Sequence, residues 1–239
     1  MVSESTPPRR PVLTLDDLAR PLTRRPERLH ALTAAELSIA FSQGLDLGEG
    51  KAIGHAQRVG YIATALADAL ALDSAKRSGV FFGSLLHDIG VTPAGANLCR
   101  VAGVDEGAIF GPAPLRVRDE DRADLVFADR ESVQEALVRH CVLGAETVRA
   151  LELPEEAAIA VAAHHEFWDG NGYPEGLAGE AIPIEGRIVA VADAAEVLIA
   201  EQFSSLVARR HFHSSISQYS GGQLDPRIVT LLLELAKSD

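Results

Sequence analysis

The sequence predicts an all-α fold, and three observations predict it. Apolar residues recur every three or four positions along most of the chain, the spacing of helices that bury one stripe. No stretch alternates apolar and polar residues for long enough to read as a strand. Glycine and proline fall at intervals that punctuate segments of helical length. With 239 residues, 47% of them apolar, the chain can bury one large core, alone or with a short extension.

Taken in order, residues 1–30 hold Pro7, Pro8, Pro11, Pro21 and Pro26 with six arginines, and read as an N-terminal extension with at most a short helix over Leu13–Arg20. Residues 31–239 form the domain proper. Thr33–Gly44 is a helix in which Thr33 caps and Glu36 completes a capping box, with Gly44, Gly48 and Gly50 ending it. Lys51–Leu72 is a long helix with Val59, Ile62, Leu66, Ala69 and Leu70 on its apolar stripe, and His55 shares that face. The next helix starts at Asp73 or Ser74. Its run Gly79–Leu86 is apolar nearly all round, which places it centrally, and His87-Asp88-Ile89-Gly90 closes it.

Residues 92–129 break the pattern with Pro93, Pro112, Pro114 and several glycines, and read as an insertion or lid near the site. Arg130–Leu151 is helical, with Val133, Leu137, His140, Gly144 and Val148 on one stripe. Pro154 starts the helix that ends at His164-His165, where a glycine-rich turn with Pro174 follows at once. Ile182-Pro183 leads into a helix over Gly186–Ala200, with Val189, Asp193, Glu196, Val197 and Ala200 on one face. Phe203–Ser220 is helical. Gly221-Gly222 breaks it, and Asp225-Pro226 starts a last helix, Arg227–Lys237.

The net charge is −12, and the six arginines and four acids of residues 1–30 leave −14 on the rest. An acidic body argues against nonspecific binding to DNA, which relies on Lys and Arg at phosphates. The apolar runs fall well short of a membrane span, and the Pro- and Arg-rich start lacks a signal-peptide core. Two cysteines, Cys99 and Cys141, make no disulfide framework, so a cytoplasmic setting is expected.

Five predicted helical segments end in, or bury, a metal-capable group: His55, His87 with Asp88, His140, His164 with His165, and Asp193. One histidine on an apolar face is most often a satisfied core residue. Asp193 is harder to dismiss, because a carboxylate on a stripe of Val and Ala must find a partner or lose several kcal/mol to desolvation. Five His and two Asp are mixed N and O ligands suited to divalent transition ions, with Fe or Mn first and Ni, Co or Zn as alternatives. Seven ligands exceed what one ion needs and suit two ions sharing a carboxylate, for which Asp88 is the natural bridge. Cys141 points about 100° away from His140 on a helix and reads as a core thiol.

The motifs resemble those of the HD-GYP branch of the HD-domain metal-dependent phosphohydrolases. The matching pieces are Gly54–Val59, Leu86-His87-Asp88-Ile89-Gly90, Arg139-His140 with Gly144, His164-His165-Glu166 through Asn171-Gly172-Tyr173-Pro174, Gly176–Gly179, Ile182-Pro183, Gly186-Arg187-Ile188, Val191-Ala192-Asp193 and Asp225-Pro226. They run, with one gap, from about residue 45 to the C-terminus. The resemblance implies an HD-domain helical bundle with a metal centre in its core. It implies hydrolysis of cyclic di-GMP, or a related cyclic dinucleotide or other phosphoester, by a metal-bridging hydroxide. Carried over, His87, Asp88, His140, His164, His165 and Asp193 hold two metals with His55 at the edge. Tyr173 helps shape the mouth, and Arg187 steadies either the turn or a phosphate.

Three departures bear on activity. Val91 stands where the family commonly has a lysine able to neutralise a phosphate oxygen. The segment between His87 and His140 is long. An Arg-Pro-Tyr-Arg-like stretch after Asp193 is missing, with Arg209 and Arg210 in that neighbourhood. Lys51, four residues before His55, replaces a glutamate that a third metal needs in some relatives, so two ions are expected, and Lys51 is itself a candidate phosphate contact. Trp168 and Tyr173 could stack on a guanine base or pack the turn. Two readings follow: an active phosphodiesterase, or a catalytically weak or inactive metal-binding signalling module that senses a nucleotide or binds a partner protein. Self-association as a dimer is compatible with either.

Overall fold

The computed structural model describes residues 33–48, 51, 53–91, 130–202 and 208–236. The expected short helix over 13–20 and the insertion or lid over 92–129 lie outside these residues. Among the described residues the fold is all-α, as expected. The helices are α1 Ala34–Gly48, α2 His55–Ala69, α3 Ser74–Leu85, α4 Arg130–Ala150, α5 Glu155–Ala163, a 3-10 turn at Gly179–Ala181, α6 Ile184–Gln202, α7 Ala208–Gln218 and α8 Pro226–Leu235. The only extended pairings among them are isolated bridges, Asp169 with Ala178 and Ser220 with Leu224. No described helix is long and apolar enough to cross a membrane.

Several boundaries depart from the sequence reading for local reasons. Gly44 does not end α1, which runs on to Gly48. A Cβ at Gly44 would meet nothing within 4 Å, so the residue lies on an open surface where glycine lowers helix propensity without blocking the helix. The second helix starts at His55, not Lys51. The buried Asp46 carboxylate accepts the Gly54 N–H at 2.7 Å and the Ala56 N–H at 3.3 Å, and Gly54 sits at φ 90°, so the chain turns there before the helix begins. Asp73 caps α3 by accepting the Lys76 N–H at 3.0 Å. That helix ends at Leu85, so His87 and Asp88 stand on the turn after it. Asp225 caps α8 through the Arg227 N–H, with Pro226 in the first helical position.

The apolar run of α3 is central, packed against α2, α5 and α6. One core lies between α2, α6, α7 and α8 around Val59, Leu66, Ile188, Val191, Ile216 and Ile228. A second lies between α3, α4 and α5 around Leu85, Leu86, Val148 and Val161. The metal-capable residues stand where these cores adjoin. Small residues let the elements close on them. A Cβ at Gly83 would lie 2.5 Å from that of Ala160 on α5, and one at Gly90 would lie 1.9 Å from the His140 carbonyl oxygen on α4.

Gly90 therefore sets the separation between the His87-Asp88 turn and α4. Gly90→Ala forces two backbones apart and should lower stability by about 3 kcal/mol, the upper end of overpacking costs. Gly44→Ala, in open space within a helix, should raise it by roughly 0.5–1 kcal/mol. Denaturant unfolding of the two variants checks both signs.

Candidate metal centre

The seven residues singled out as ligands come together. Donor atoms of Asp88, His140, His164 and His165 lie within 4.8 Å of one another, and those of His55, His87 and Asp193 do the same. All seven side chains are buried. The two groups adjoin: the His87 and His164 ring centroids are 5.5 Å apart. Asp88 faces both groups. Its Oδ2 is 3.0 Å from His87 Nε2, and its Oδ1 is 3.5 Å from His140 Nε2 and 4.0 Å from His164 Nε2.

Local structure aims the rings. His87 Nδ1 donates to the Ser84 carbonyl at 2.8 Å, and His164 Nδ1 donates to the Val161 carbonyl at 2.7 Å. Both acceptors are carbonyls of a last helical turn, which lack intrahelical partners. Each bond occupies Nδ1 and leaves Nε2 facing inward. His55 is fixed from the other side: its Nδ1 donates to Glu196 Oε2 at 2.5 Å, and Arg58 holds the other oxygen of Glu196 at 2.6 Å. Burial opposes ionisation of Glu196, but His55 and Arg58 hold its carboxyl below the ordinary value.

The donor set fits divalent cations. Nε2 of His55, His164 and His165 is buried and finds no hydrogen-bond partner among the described residues. Stranding several such atoms costs kilocalories unless something with a positive charge meets them. Burial, with help from His140, keeps His164 and His165 well below the ordinary histidine value, so they stay neutral and able to ligate. Burial also pushes His87 down, but the adjacent Asp88 carboxylate and then Asp193 outweigh it and raise His87 to about 9. Asp88 is held well below the carboxylate range: burial opposes this, and His87 and Lys51 prevail. Cys141 is fully buried beside His140, its thiol pushed up first by burial and then by Asp88, and its sulfur belongs to neither donor group.

The remaining candidates line the edge. Lys51 pairs with Asp88 Oδ2, its side chain 19% exposed against 6% for Asp88. Tyr173 lies over His165, with ring centroids 4.9 Å apart. Its turn is tied down by Glu166, whose buried carboxylate accepts the Glu175 N–H at 2.7 Å and the Leu177 N–H at 2.8 Å. The Tyr173–Pro174 peptide bond is cis. Arg187 donates to Asp225, the N-cap of α8, at 2.8 Å and lies 5.7 Å from the ring centre of Trp168 in the turn. Arg209 and Arg210 have no described side chains.

Sequence reasoning missed the supporting roles of Glu196, Glu166 and Asp46. Glu196 carried a signal, an acid three residues after Asp193 on an otherwise apolar face. Asp46, a lone acid between Leu45 and Leu47, carried a weaker one.

Two outcomes follow. Glu196→Gln should weaken metal affinity roughly 10- to 100-fold, the usual effect of losing a group that orients a ligand, as read by competition with a chelator. In the metal-free protein His87 sits above its unfolded value of 6.5, so the stability it contributes is present below 6.5 and lost as pH rises through about 9. Metal must displace that proton. Titrating metal into metal-free protein near neutral pH should release about one proton from this group, and none above its raised value, in a weakly buffered pH titration.

The HD domain family matches residues 104–228, and the structure joins to that segment the His55, His87 and Asp88 that lie before it. A cyclic di-GMP phosphodiesterase of Thermotoga maritima is 28% identical over 192 residues, covering 77% of this chain and 44% of the relative. A 3'3'-cGAMP-specific phosphodiesterase of Vibrio cholerae is 25% identical over 231 residues, covering 85% of this chain and 48% of the relative. A crystal structure of a cyclic GMP-AMP-specific phosphodiesterase of Vibrio cholerae superposes with a TM-score of 0.66 at 25% identity, covering 85% of this chain and 49% of that one. The chain thus spans about half, or less, of the length of these relatives. Helical bundle, family match and relatives agree: the chain belongs to the HD-domain family.

Proposed function

We propose that this chain is a metal-dependent phosphodiesterase that hydrolyses a cyclic dinucleotide, cyclic di-GMP or a cyclic GMP-AMP. The observation that carries the reading is the pair of adjoining His/Asp groups, with the Asp88 carboxylate facing both. Relatives named for those substrates support the substrate class. His87, Asp88, His140, His164, His165, Asp193 and His55 would hold two divalent ions, Fe or Mn first by the mixed imidazole and carboxylate donors, with Asp88 as the shared ligand. Such ions, when bound, lower the pKa of water and polarise a phosphoryl oxygen.

The chain's own residues then have separable tasks. Asp88, kept ionised, brings negative charge to the middle of the centre and makes it a cation site. His164 and His165, kept neutral, present lone pairs instead of protons. Tyr173 is pushed well above the ordinary phenol value, by burial first, so it stays un-ionised and shapes the mouth as a donor and a ring surface. Arg187, through Asp225 and Trp168, steadies the turn that carries Tyr173.

Val91 favours the second reading, a weakly active or inactive module that senses a nucleotide or binds a signalling partner, because an aliphatic side chain offers nothing to a phosphate. The retained donor set favours the enzyme. The chain loaded with Mn or Fe should cleave cyclic di-GMP or cyclic GMP-AMP in a chromatographic assay. Asp88→Ala should lower turnover by at least about a hundredfold together with metal content, since it removes the shared ligand. Metal-loaded protein that binds these dinucleotides without cleaving them would leave the signalling module.

A further inference from the structure

We propose that Asp46 is the positioning residue of the His55 ligand, holding from α1 the backbone on which that imidazole stands. The inference rests on the two-ion reading of the donor groups and adds to it a residue outside both. Like any helix, α2 opens with backbone N–H groups that have no partner within it. Its N-cap residue is Gly54, which has no side chain to offer them. The Arg58 N–H returns to the Gly54 carbonyl at 3.0 Å, so the helical ladder starts there. Asp46 supplies what Gly54 lacks. One of its carboxylate oxygens accepts the Gly54 N–H at 2.7 Å, and the other accepts the Ala56 N–H at 3.3 Å. Gly54 and Ala56 are the chain neighbours of His55. The carboxylate thus holds the main chain on both sides of the ligand.

The make-up of α1 supports this role. Its buried residues are Ser38, Ser42 and Asp46, spaced by four and so on one face. Leu37, Phe41 and Leu47 of the same helix are 42%, 47% and 62% exposed. A helix that only extended an apolar core would bury Leu and Phe and expose Ser and Asp. Here the order is reversed, and what α1 brings inward is a hydrogen-bonding group. A carboxylate 2% exposed is costly to bury unless it is met, and the two amides of α2 meet it. His55 is then fixed twice. Glu196 holds its Nδ1 and sets the direction of the ring, while Asp46 sets where its backbone stands. Its Nε2 is left 3.4 Å from Asp193 Oδ1, among the donors of its group. Bonds from imidazole to a transition ion are about 2 Å long and tolerate little displacement, so the backbone has to be as well placed as the ring.

The test measures Mn retained by the full chain against rising chelator, by elemental analysis, with denaturant unfolding alongside. Asp46→Asn turns an N–H₂ toward one of the two backbone N–H groups and so loses one bond. It should weaken one ion roughly tenfold, the low end for groups that orient a ligand, and leave the other at wild-type affinity. His55→Ala should weaken the same ion, and in that background Asp46→Asn should add no further loss, because the effect runs through His55. Asp46→Ser, which keeps one acceptor in a smaller side chain, should give the same selective loss and serves where the Asn variant does not fold. Ser42→Ala, on the same buried face but bonded to the Ile39 carbonyl of its own helix, should leave both affinities unchanged. Wild-type affinity for both ions in the Asp46 variants overturns the proposal. So does equal weakening of both ions, or a further loss in the His55→Ala background, either of which leaves Asp46 a clamp on the fold alone. Wild-type chain that retains a single ion sinks the two-ion reading and this proposal with it. The expected selective loss in a chain that cleaves no cyclic dinucleotide sinks the phosphodiesterase reading alone.

Discussion

A single carboxylate, Asp88, is the constraint on which the rest of this molecule depends. It is buried where the two cores adjoin, with His87, His140 and His164 around it and Lys51 beside it. An ionised carboxylate taken out of water costs several kcal/mol unless it is met by charge and hydrogen bonds. Its neighbours come from a turn after α3, from α4, from the end of α5 and from the turn before α2. No one of these elements could satisfy it alone. Packing and electrostatics are therefore coupled: helices that drift apart leave Asp88 without partners, and the close approach at Gly90 holds its turn against α4.

The same device is used twice to aim the rings. Both α3 and α5 bring their C-terminal ends to the centre, and in each a histidine just beyond the helix returns its Nδ1–H to the carbonyl three residues back. The bond satisfies an orphan carbonyl and fixes the ring. The helix ends also bring the negative pole of two macrodipoles toward the centre, which favours cations there. His55 is served differently, because it opens α2 instead of following a helix, and it takes its orientation from Glu196 and Arg58 across the bundle.

This arrangement explains how an acidic chain with eight histidines keeps five of them in one dry place. In the metal-free protein, charge is divided unevenly: His87 tends to hold a proton against Asp88, while His164 and His165 do not. Lys51 adds a permanent positive group on the solvent side. The centre is thus organised as anionic in the middle, with neutral donors around it and the Lys51 ammonium against Asp88.

Much was legible in the sequence. The helical periodicity, the caps at Asp73 and Asp225, the central run Gly79–Leu86 and the seven donor residues all follow from residue types and spacing, because those depend on backbone preference and burial along one element. The start of α2 and the end of α1 were not legible. Asp46 decides the first through bonds to Gly54 and Ala56 that no local propensity encodes, and Gly44 is tolerated because its surroundings are open. Glu196 looked like one more acid on a face until α2 packed against α6 and put His55 within 2.5 Å of it. The amino-acid order by itself determined which groups were available to bind a cation and which helices would carry them. Only the tertiary structure decided which oxygen of Asp88 faces which ring, and that Lys51 meets that carboxylate, because those distances arise between elements far apart in the chain and are set by how closely the helices pack.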